Sequence, residues 1–361
     1  MSERSYYLAF SIMSGIGPKK FEVLLKNFGS AKAAWNGSIS ELEQVIGKSL
    51  TAKFVDFRTK FNVEQYENEL VKKKISFVCL NDKEYPQRLK KIPNAPIVLY
   101  IKGKFDFGLD SKYLAIVGTR RITSYGRSVT ELFSSSLASS GLVIVSGLAL
   151  GVDGVAHMAC LESGGKTIAV LGNGVDICYP RENQKIYDKI LDGNGAIISE
   201  APMGESPSVG SFPARNRIIA GLSDGVLVTE GASDSGSLIT ANFGLEFGRK
   251  VFAVPGPITS SLSAAPLRLI EKGAKLVITP DDITRELGIK NHELRKNEKK
   301  FAGLSSEENK IVQLLENEPL HFDEIVRCLK LDPSKTGSLL SIMEMKGLIK
   351  SLSGGNYSVV S

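Results

Sequence analysis

Histidine and cysteine are scarce in this chain of 361 residues: three of the first (His157, His292, His321) and four of the second (Cys79, Cys160, Cys178, Cys328). The cysteines are scattered with no C-x-x-C pair, and the histidines lie far apart. Neither a disulfide framework nor a zinc site is expected, and the thiols read as core residues of a reducing compartment. Long apolar runs are also missing. Glu3 and Arg4 precede no hydrophobic segment of signal-peptide kind, and no stretch approaches membrane-spanning length. The expectation is a soluble, cytoplasmic protein with no membrane partner. Two nucleotide signatures are absent too. Gly172-x-Gly174 lacks the third glycine of G-x-G-x-x-G, and Gly164-Gly165-Lys166-Thr167 imitates the tail of a P-loop but precedes a strand instead of opening a helix. No cofactor and no metal are assigned.

What is present begins with size and charge. A chain of 361 residues has room for more than one domain, at least one of them with a full core. The net charge of +6 permits a polyanionic partner without requiring one. Residues 1–70 read as a helical domain. Tyr6, Leu8, Ile12 and Met13 lead into Ser14-Gly15-Ile16-Gly17-Pro18, and Phe21, Leu24, Leu25 and Phe28 then recur at helical spacing. The glycine turn resembles a helix-hairpin-helix module, with Lys19, Lys20 and Lys26 available to a phosphate and a weaker echo at Val45-Ile46-Gly47. A helical docking domain whose glycines only make turns would carry the same residues.

Residues 75–285 alternate strand and helix. Apolar runs at Leu114–Val117, Leu142–Val145, Thr167–Leu171, Ala196–Ser199, Val226–Val228 and Val251–Val254 are separated by helix-length segments and glycine turns. Parallel strands need such crossovers, so the expected fold is α/β: a mostly parallel, doubly wound sheet with helices on both faces. Ligands in such folds bind at the carboxyl ends of the strands. There the chain places its small and basic residues, above all in VGSFPARNRIIAGLSDGVLVTEGASDSGSLIT from Val209 to Thr240. Phe212-Pro213 are read as the end of an extended segment; Arg215, Asn216 and Arg217 then open a helix with Ile218, Ile219 and Leu222 on its apolar side. Small residues and a helix N-terminus follow the next strand, at Ser235-Gly236-Ser237. Arginines beside unpaired N–H groups point to phosphate; a tight β–α loop with solvated arginines is the alternative. Residues 286–303 read as a charged linker, and residues 304–361, three helices and a hairpin around Gly354-Gly355, as a winged helix. Its third helix offers Lys335 and Lys346 among serines, so protein docking competes with DNA binding there.

GTRR at Gly118–Arg121, SGLALGVDGVAH at Ser146–His157, AVLGNGVDICYPREN at Ala169–Asn183, SFPARNRIIAGLSDGVLVTE at Ser211–Glu230, SGSLITA at Ser235–Ala241 and GRKVFAVPG at Gly248–Gly256 together resemble the DprA/Smf family of DNA-processing proteins. The resemblance implies a Rossmann-like core flanked by an N-terminal helical domain, helix-hairpin-helix or SAM-like, and a C-terminal winged helix. It implies a dimer without known catalysis that binds single-stranded DNA and hands it to the RecA recombinase in natural transformation. It further implies that Gly118, Thr119 and Arg120, the turn Ser146, Gly147, Leu148 and Ala149, and Phe212, Arg215, Asn216 and Arg217 line a phosphate-binding pocket, with Arg181 nearby and Ser235, Gly236 and Ser237 on the rim. Guanidinium forks and N–H turns suit phosphate oxygens, and gripping a backbone needs no base-edge readout. Val209 stands where the family has a lysine, and Ala265 and Leu267 replace a glycine and an asparagine.

Two enzymatic readings compete. Asp153 and His157, four apart on one helical turn, have the form of an acid–base pair, although capping and packing of that helix is the favoured reading. The strand, small-residue loop and helix at Val226–Thr240 are similar to the phosphate loop of lysine-decarboxylase-like phosphoribohydrolases, P-G-G-x-G-T-x-x-E. Here the glycine pair is missing, and Ile239, Thr240 and Ala241 stand near the expected glutamate. Glu230, at a strand end, reads as orienting its loop.

Overall fold

The computed structural model describes residues 2–104, 107–108, 111–193, 195–289, 305–317, 319–329, 331–352 and 354–359. The chain divides into two compact units, Met1–Lys290 and Asn291–Ser361. The expected charged linker lies largely outside the described residues, from 290 onward.

In the first unit helices α1 (Glu3–Ile12), α2 (Pro18–Phe28), α3 (Ala31–Asn36), α4 (Ile39–Ile46), α5 (Lys48–Lys60) and α6 (Val63–Lys72) come first. Aromatic residues hold them together: Phe10 stacks on Phe54 at 5.3 Å and meets Trp35 edge-on at 5.4 Å. Gly15, at φ +92°, makes the turn between α1 and α2 that a side chain would strain.

The α/β part follows as β1 (Ile75–Cys79), α7 (Gln87–Lys90), β2 (Val98–Gly103), β3 (Tyr113–Val117), α8 (Ser124–Ser139), β4 (Val143–Ser146), α9 (Val152–Glu162) and β5 (Thr167–Leu171). It continues through α10 (Gln184–Asp192), β6 (Gly195–Ser199), α11 (Ser211–Leu222), β7 (Gly225–Val228), α12 (Ser237–Glu246), β8 (Lys250–Ala253), α13 (Ala264–Glu271), β9 (Lys275–Leu276) and α14 (Pro280–Glu286). Among the described residues these strands form one sheet in the order β1-β2-β6-β5-β4-β3-β7-β8-β9. From β6 through β9 every neighbouring pair is parallel, whereas β2 joins β6, and β1 joins β2, antiparallel. The fold is thus Rossmann-like, α/β and mostly parallel, as the sequence implied.

Every residue of β3 through β7 is buried, because alternate side chains meet a helical layer on each face. Leu114, Ile116 and Ile144 pack with Phe133 and Leu137 of α8 and Ala156 of α9. Ala115, Val117, Val145 and Val170 pack with Ile218, Ile219 and Leu222 of α11 and Leu269 of α13. Over β1, β2 and β6, the core of α1–α6 is continuous with Ile75, Cys79, Tyr100 and Ile197. The chain winds from β3 outward through β4, β5 and β6, then crosses to β7 and winds the other way. The carboxyl ends of β3 and β7 therefore flank the switch point at which such sheets bind ligands. No helix among the described residues is long and apolar enough to cross a membrane.

The second unit contains α15 (Ser306–Asn317), β10 (Leu320–His321), α16 (Phe322–Leu329), α17 (Pro333–Met345), β11 (Ile349–Leu352) and β12 (Asn356–Val359). Its sheet runs β10-β12-β11 over a core of Ile311, Leu315, Ile325, Leu340 and Met343, a winged helix.

Candidate nucleic-acid interface

At the end of β3 the chain passes so close to its neighbours that a Cβ on Gly118 would lie 2.6 Å from the Glu230 carbonyl oxygen and 2.6 Å from Val152 Cγ2. Thr119 donates its N–H to that carbonyl (2.7 Å), accepts from Val152 N–H through its own carbonyl (3.1 Å) and accepts from Arg121 N–H through Oγ1 (3.1 Å). This tight crossing leaves Arg120 exposed, its guanidinium 5.6 Å from the centroid of the Phe212 ring. Phe212 in turn leans on Tyr179, with centroids 5.7 Å apart. Tyr179 is 45% exposed, and Arg181, two residues on, is also exposed. A guanidinium and two rings thus share one open edge beside the switch point.

The turn after β4 is closed by its own side chains. Ser146 Oγ donates to Ile116 O (2.6 Å), and Leu148 takes a φ of +56° that few non-glycine residues adopt. The Asp153 carboxylate accepts the N–H groups of Gly147 (3.0 Å) and Ala149 (3.4 Å), while Asn183 Nδ2 donates to Leu148 O (2.9 Å) and Ala149 O (3.0 Å). Arg215 completes the frame, its Nη1 donating to Gly147 O (2.6 Å) and to Val170 O.

Arg215, Asn216 and Arg217 do not act as one cluster. Successive helical residues step about 100° around the axis, so three neighbours face three directions. Arg215 is buried beneath the ends of β4 and β5. Arg217 is buried against the end of β6, where it grips both Glu200 carboxylate oxygens at 2.6 Å and donates from Nε to Asn94 O at 3.1 Å. Asn216 is half-buried and reaches Gly236 O with Nδ2 (3.3 Å), tying α11 to the start of α12. On that rim the Ser235 and Ser237 hydroxyls lie 2.8 Å apart.

Burial governs the charges underneath. Desolvation lowers the Arg215 guanidinium to about 10, opposed by Asp153. It raises the Asp153 carboxyl, against the pull of Arg215 and the turn's N–H groups. His157, buried with Nδ1 2.7 Å from Thr167 Oγ1, is pushed down to about 3 by burial and then by Arg215, so it is neutral. Glu230 accepts Thr123 N–H (3.0 Å) and the Thr123 hydroxyl (2.6 Å), so its carboxylate orients the start of α8 instead of its own loop. Its loop is pinned to the segment before α13, where Gly231 N–H meets Leu262 O (2.7 Å) and the N–H of fully buried Ala265 meets Gly231 O (2.8 Å). Leu267 is half-buried, and Val209 is 91% exposed.

Tyr179 and the frame residue Asn183 were not among the residues expected to line the site. Their signal lies in YPREN, the loop leaving the carboxyl end of β5, where an aromatic residue has no core to enter. In the second unit, Lys335 pairs with Glu307 (2.5 Å) and Lys346 with Glu308 (2.7 Å).

Residues 76–288 match the family model described as DNA recombination-mediator protein A, and residues 298–355 match the DprA winged helix domain. The chain belongs to the DNA recombination-mediator protein A family. Protein Smf of Synechocystis sp. is 39% identical over 292 residues, which cover 80% of this chain and 73% of that protein. The crystal structure of DNA processing protein A from Streptococcus pneumoniae superposes with a TM-score of 0.70 at 37% identity, covering 79% of this chain and 99% of that one. DNA processing protein A from Helicobacter pylori, whose structure was described for its single-stranded DNA binding mode, gives 0.54 at 32% identity over 61% of this chain and 98% of that one. The DprA match begins within β1 and ends after α14, so it takes in the whole switch-point edge, while α1–α6 precede it.

Proposed function

We propose that this member of the family is a sequence-independent single-stranded DNA-binding protein that protects incoming strands and hands them to the RecA recombinase in natural transformation, working in the cytoplasm as a homodimer without catalysis. The observation that carries the reading is the exposed edge of Arg120, Phe212 and Tyr179 beside the switch point. A guanidinium fork holds phosphate oxygens, and open aromatic faces stack on unpaired bases of any identity, which a duplex keeps inside its helix. Arg181, Asn216 and Ser235–Ser237 border the same edge in this reading, and the turns at Gly118–Arg120 and Ser146–Ala149 form its floor. Arg215 and Arg217 serve it from below by holding the strand ends and α11 in place.

The carboxylates speak for binding rather than chemistry. Asp153 and Glu230 each accept backbone N–H groups, which fixes them as parts of the frame. On α12, where a phosphoribohydrolase would present its glutamate, the chain has Ile239, Thr240 and Ala241. The ion-paired lysines at the two ends of α17 favour protein docking over groove reading by the winged helix.

The test is fluorescence anisotropy with labelled oligothymidine and the matching duplex at two salt concentrations, for the parent and for Arg120→Ala. The expected result is a salt-sensitive preference for the single strand, weakened for all sequences alike in the variant. The slope of log affinity against log salt should shallow by about 0.7 for one lost phosphate contact on a single strand. Equal binding to duplex and single strand, or no binding by the parent, would sink the proposal.

A further inference from the structure

The loop from Glu200 to Gly210 carries the chain from β6 into α11, and so into Phe212. It is pinned at three successive residues. Met203 N–H donates to the Tyr66 hydroxyl (3.0 Å), Gly204 N–H donates to Asp176 Oδ1 (2.9 Å), and Glu205 O accepts from Gly174 N–H (2.9 Å). The second pin is completed by Lys73, whose ammonium donates to the other Asp176 oxygen at 3.0 Å. Gly174 belongs to the same contact, since a Cβ there would lie 2.7 Å from Pro202 O and 2.9 Å from Gly204 N. Farther along, Ser211 Oγ donates to Ser208 O (2.8 Å), carrying the constraint to the residue before Phe212.

Two of these anchors come from the helical region. Tyr66 lies in α6 and Lys73 just after it, both ahead of the stretch that matches the DNA recombination-mediator model. Tyr66 is itself well seated. Tyr66 hydrogen-bonds Tyr100 of β2, whose hydroxyl is 2.8 Å from Ser11 Oγ of α1. Although burial raises it, the Asp176 carboxyl is held below its ordinary value by Gly204 N–H and Lys73, so the second pin is a charged one.

We propose that Tyr66 and Lys73 are positioning residues for the single-strand site: the helical region acts as a strut that fixes the 200–210 loop and thereby the Phe212 edge, without touching DNA. The proposal rests on the single-strand reading above and deepens it.

The test uses the full chain and the double variant Tyr66→Phe, Lys73→Met, which removes the hydroxyl and the ammonium while keeping the ring and the stem. In the free protein, hydrogen exchange at the Met203 and Gly204 amides should speed up about tenfold, with amides of β3 to β5 unchanged. In anisotropy titrations of oligothymidine, Kd should rise about fivefold through faster dissociation, with the salt slope of the parent retained because no phosphate contact is lost. Unchanged exchange at Met203 and Gly204 overturns the strut whatever the protein binds. Parental affinity in the double variant, or a slope shallower by one contact, overturns the positioning role. A parent that fails to bind oligothymidine sinks the single-strand reading, and the positioning role with it, while the exchange result still decides whether the strut exists.

Discussion

Arg215 offers the sharpest quantitative test of how the site is built. Replacing it with methionine keeps the side-chain stem and removes the guanidinium of a residue that is only 6% exposed. Gly147 O and Val170 O lose their donor, and Asp153 loses the cation across from it while keeping the N–H groups of Gly147 and Ala149. Removing one partner of a buried charge pair costs about 3–5 kcal/mol. Against a typical total of about 5–15 kcal/mol, the protein should fold but melt on the order of 10 °C earlier. The deficit should also depend on pH. Without Arg215 the Asp153 carboxyl, already raised by burial, rises further, so the folded state holds a proton that the unfolded state releases. Stability is then lost as pH rises, and the gap to the parent should narrow as pH is lowered toward 5. Urea unfolding followed by circular dichroism, with anisotropy titrations on the same samples well below the midpoint, measures both effects. A parental urea midpoint combined with abolished DNA binding would refute the argument, because it would make Arg215 a direct ligand and not a frame residue.

Three further outcomes follow from neighbouring residues. His157 is held to about 3 in the folded state against about 6.5 unfolded, so only the unfolded chain takes up its proton as pH falls; the parent should lose about 2 kcal/mol between pH 7.5 and pH 5 in urea titrations, and His157→Gln should flatten that slope. Tyr179→Ala should weaken oligothymidine binding by about 1–3 kcal/mol with an unchanged salt slope, whereas Tyr179→Phe should bind as the parent does. Val209→Lys adds a cation at a position 91% exposed three residues before Phe212, and should tighten binding while steepening the salt slope by about 0.7.

The strands were legible because each central one is an apolar run between glycine turns, and burial on both faces requires that pattern. The start of α11 was less so. Phe212 and Pro213 read as the end of an extended segment, yet the helix begins at Ser211, since a proline in the first turn gives up only an N–H that has no helical partner. α13 likewise takes a proline into its first turn, beginning at Ala264 with Pro266 two residues on. Arg215, Asn216 and Arg217 looked like one phosphate grip because they are adjacent in sequence and two are cationic. Their phase carries the missing signal: Arg215, Ile218, Ile219 and Leu222 follow the i, i+3, i+4, i+7 stripe, which places Arg215 on the buried side. No such signal marks Arg217, whose partner Glu200 stands at the end of another strand, or Asp153, whose N–H donors belong to a turn that only the folded backbone forms.

Beside the switch point, where such sheets bind ligands, this protein sets two carboxylates of its own against backbone N–H groups. The Glu230 carboxylate sits at the start of α8, and the Asp153 carboxylate fills the turn after β4. Each is an anion tethered by the chain itself, and so always at hand for the N–H groups it accepts. A free nucleotide reaching the sheet edge finds these seats taken. A polymer does not need them, because it can lie across the outer rim and add many weak contacts along its length. On the proposed single-strand reading, a fold whose switch-point turns are filled by its own carboxylates is left with its outer rim as the surface for a polymer.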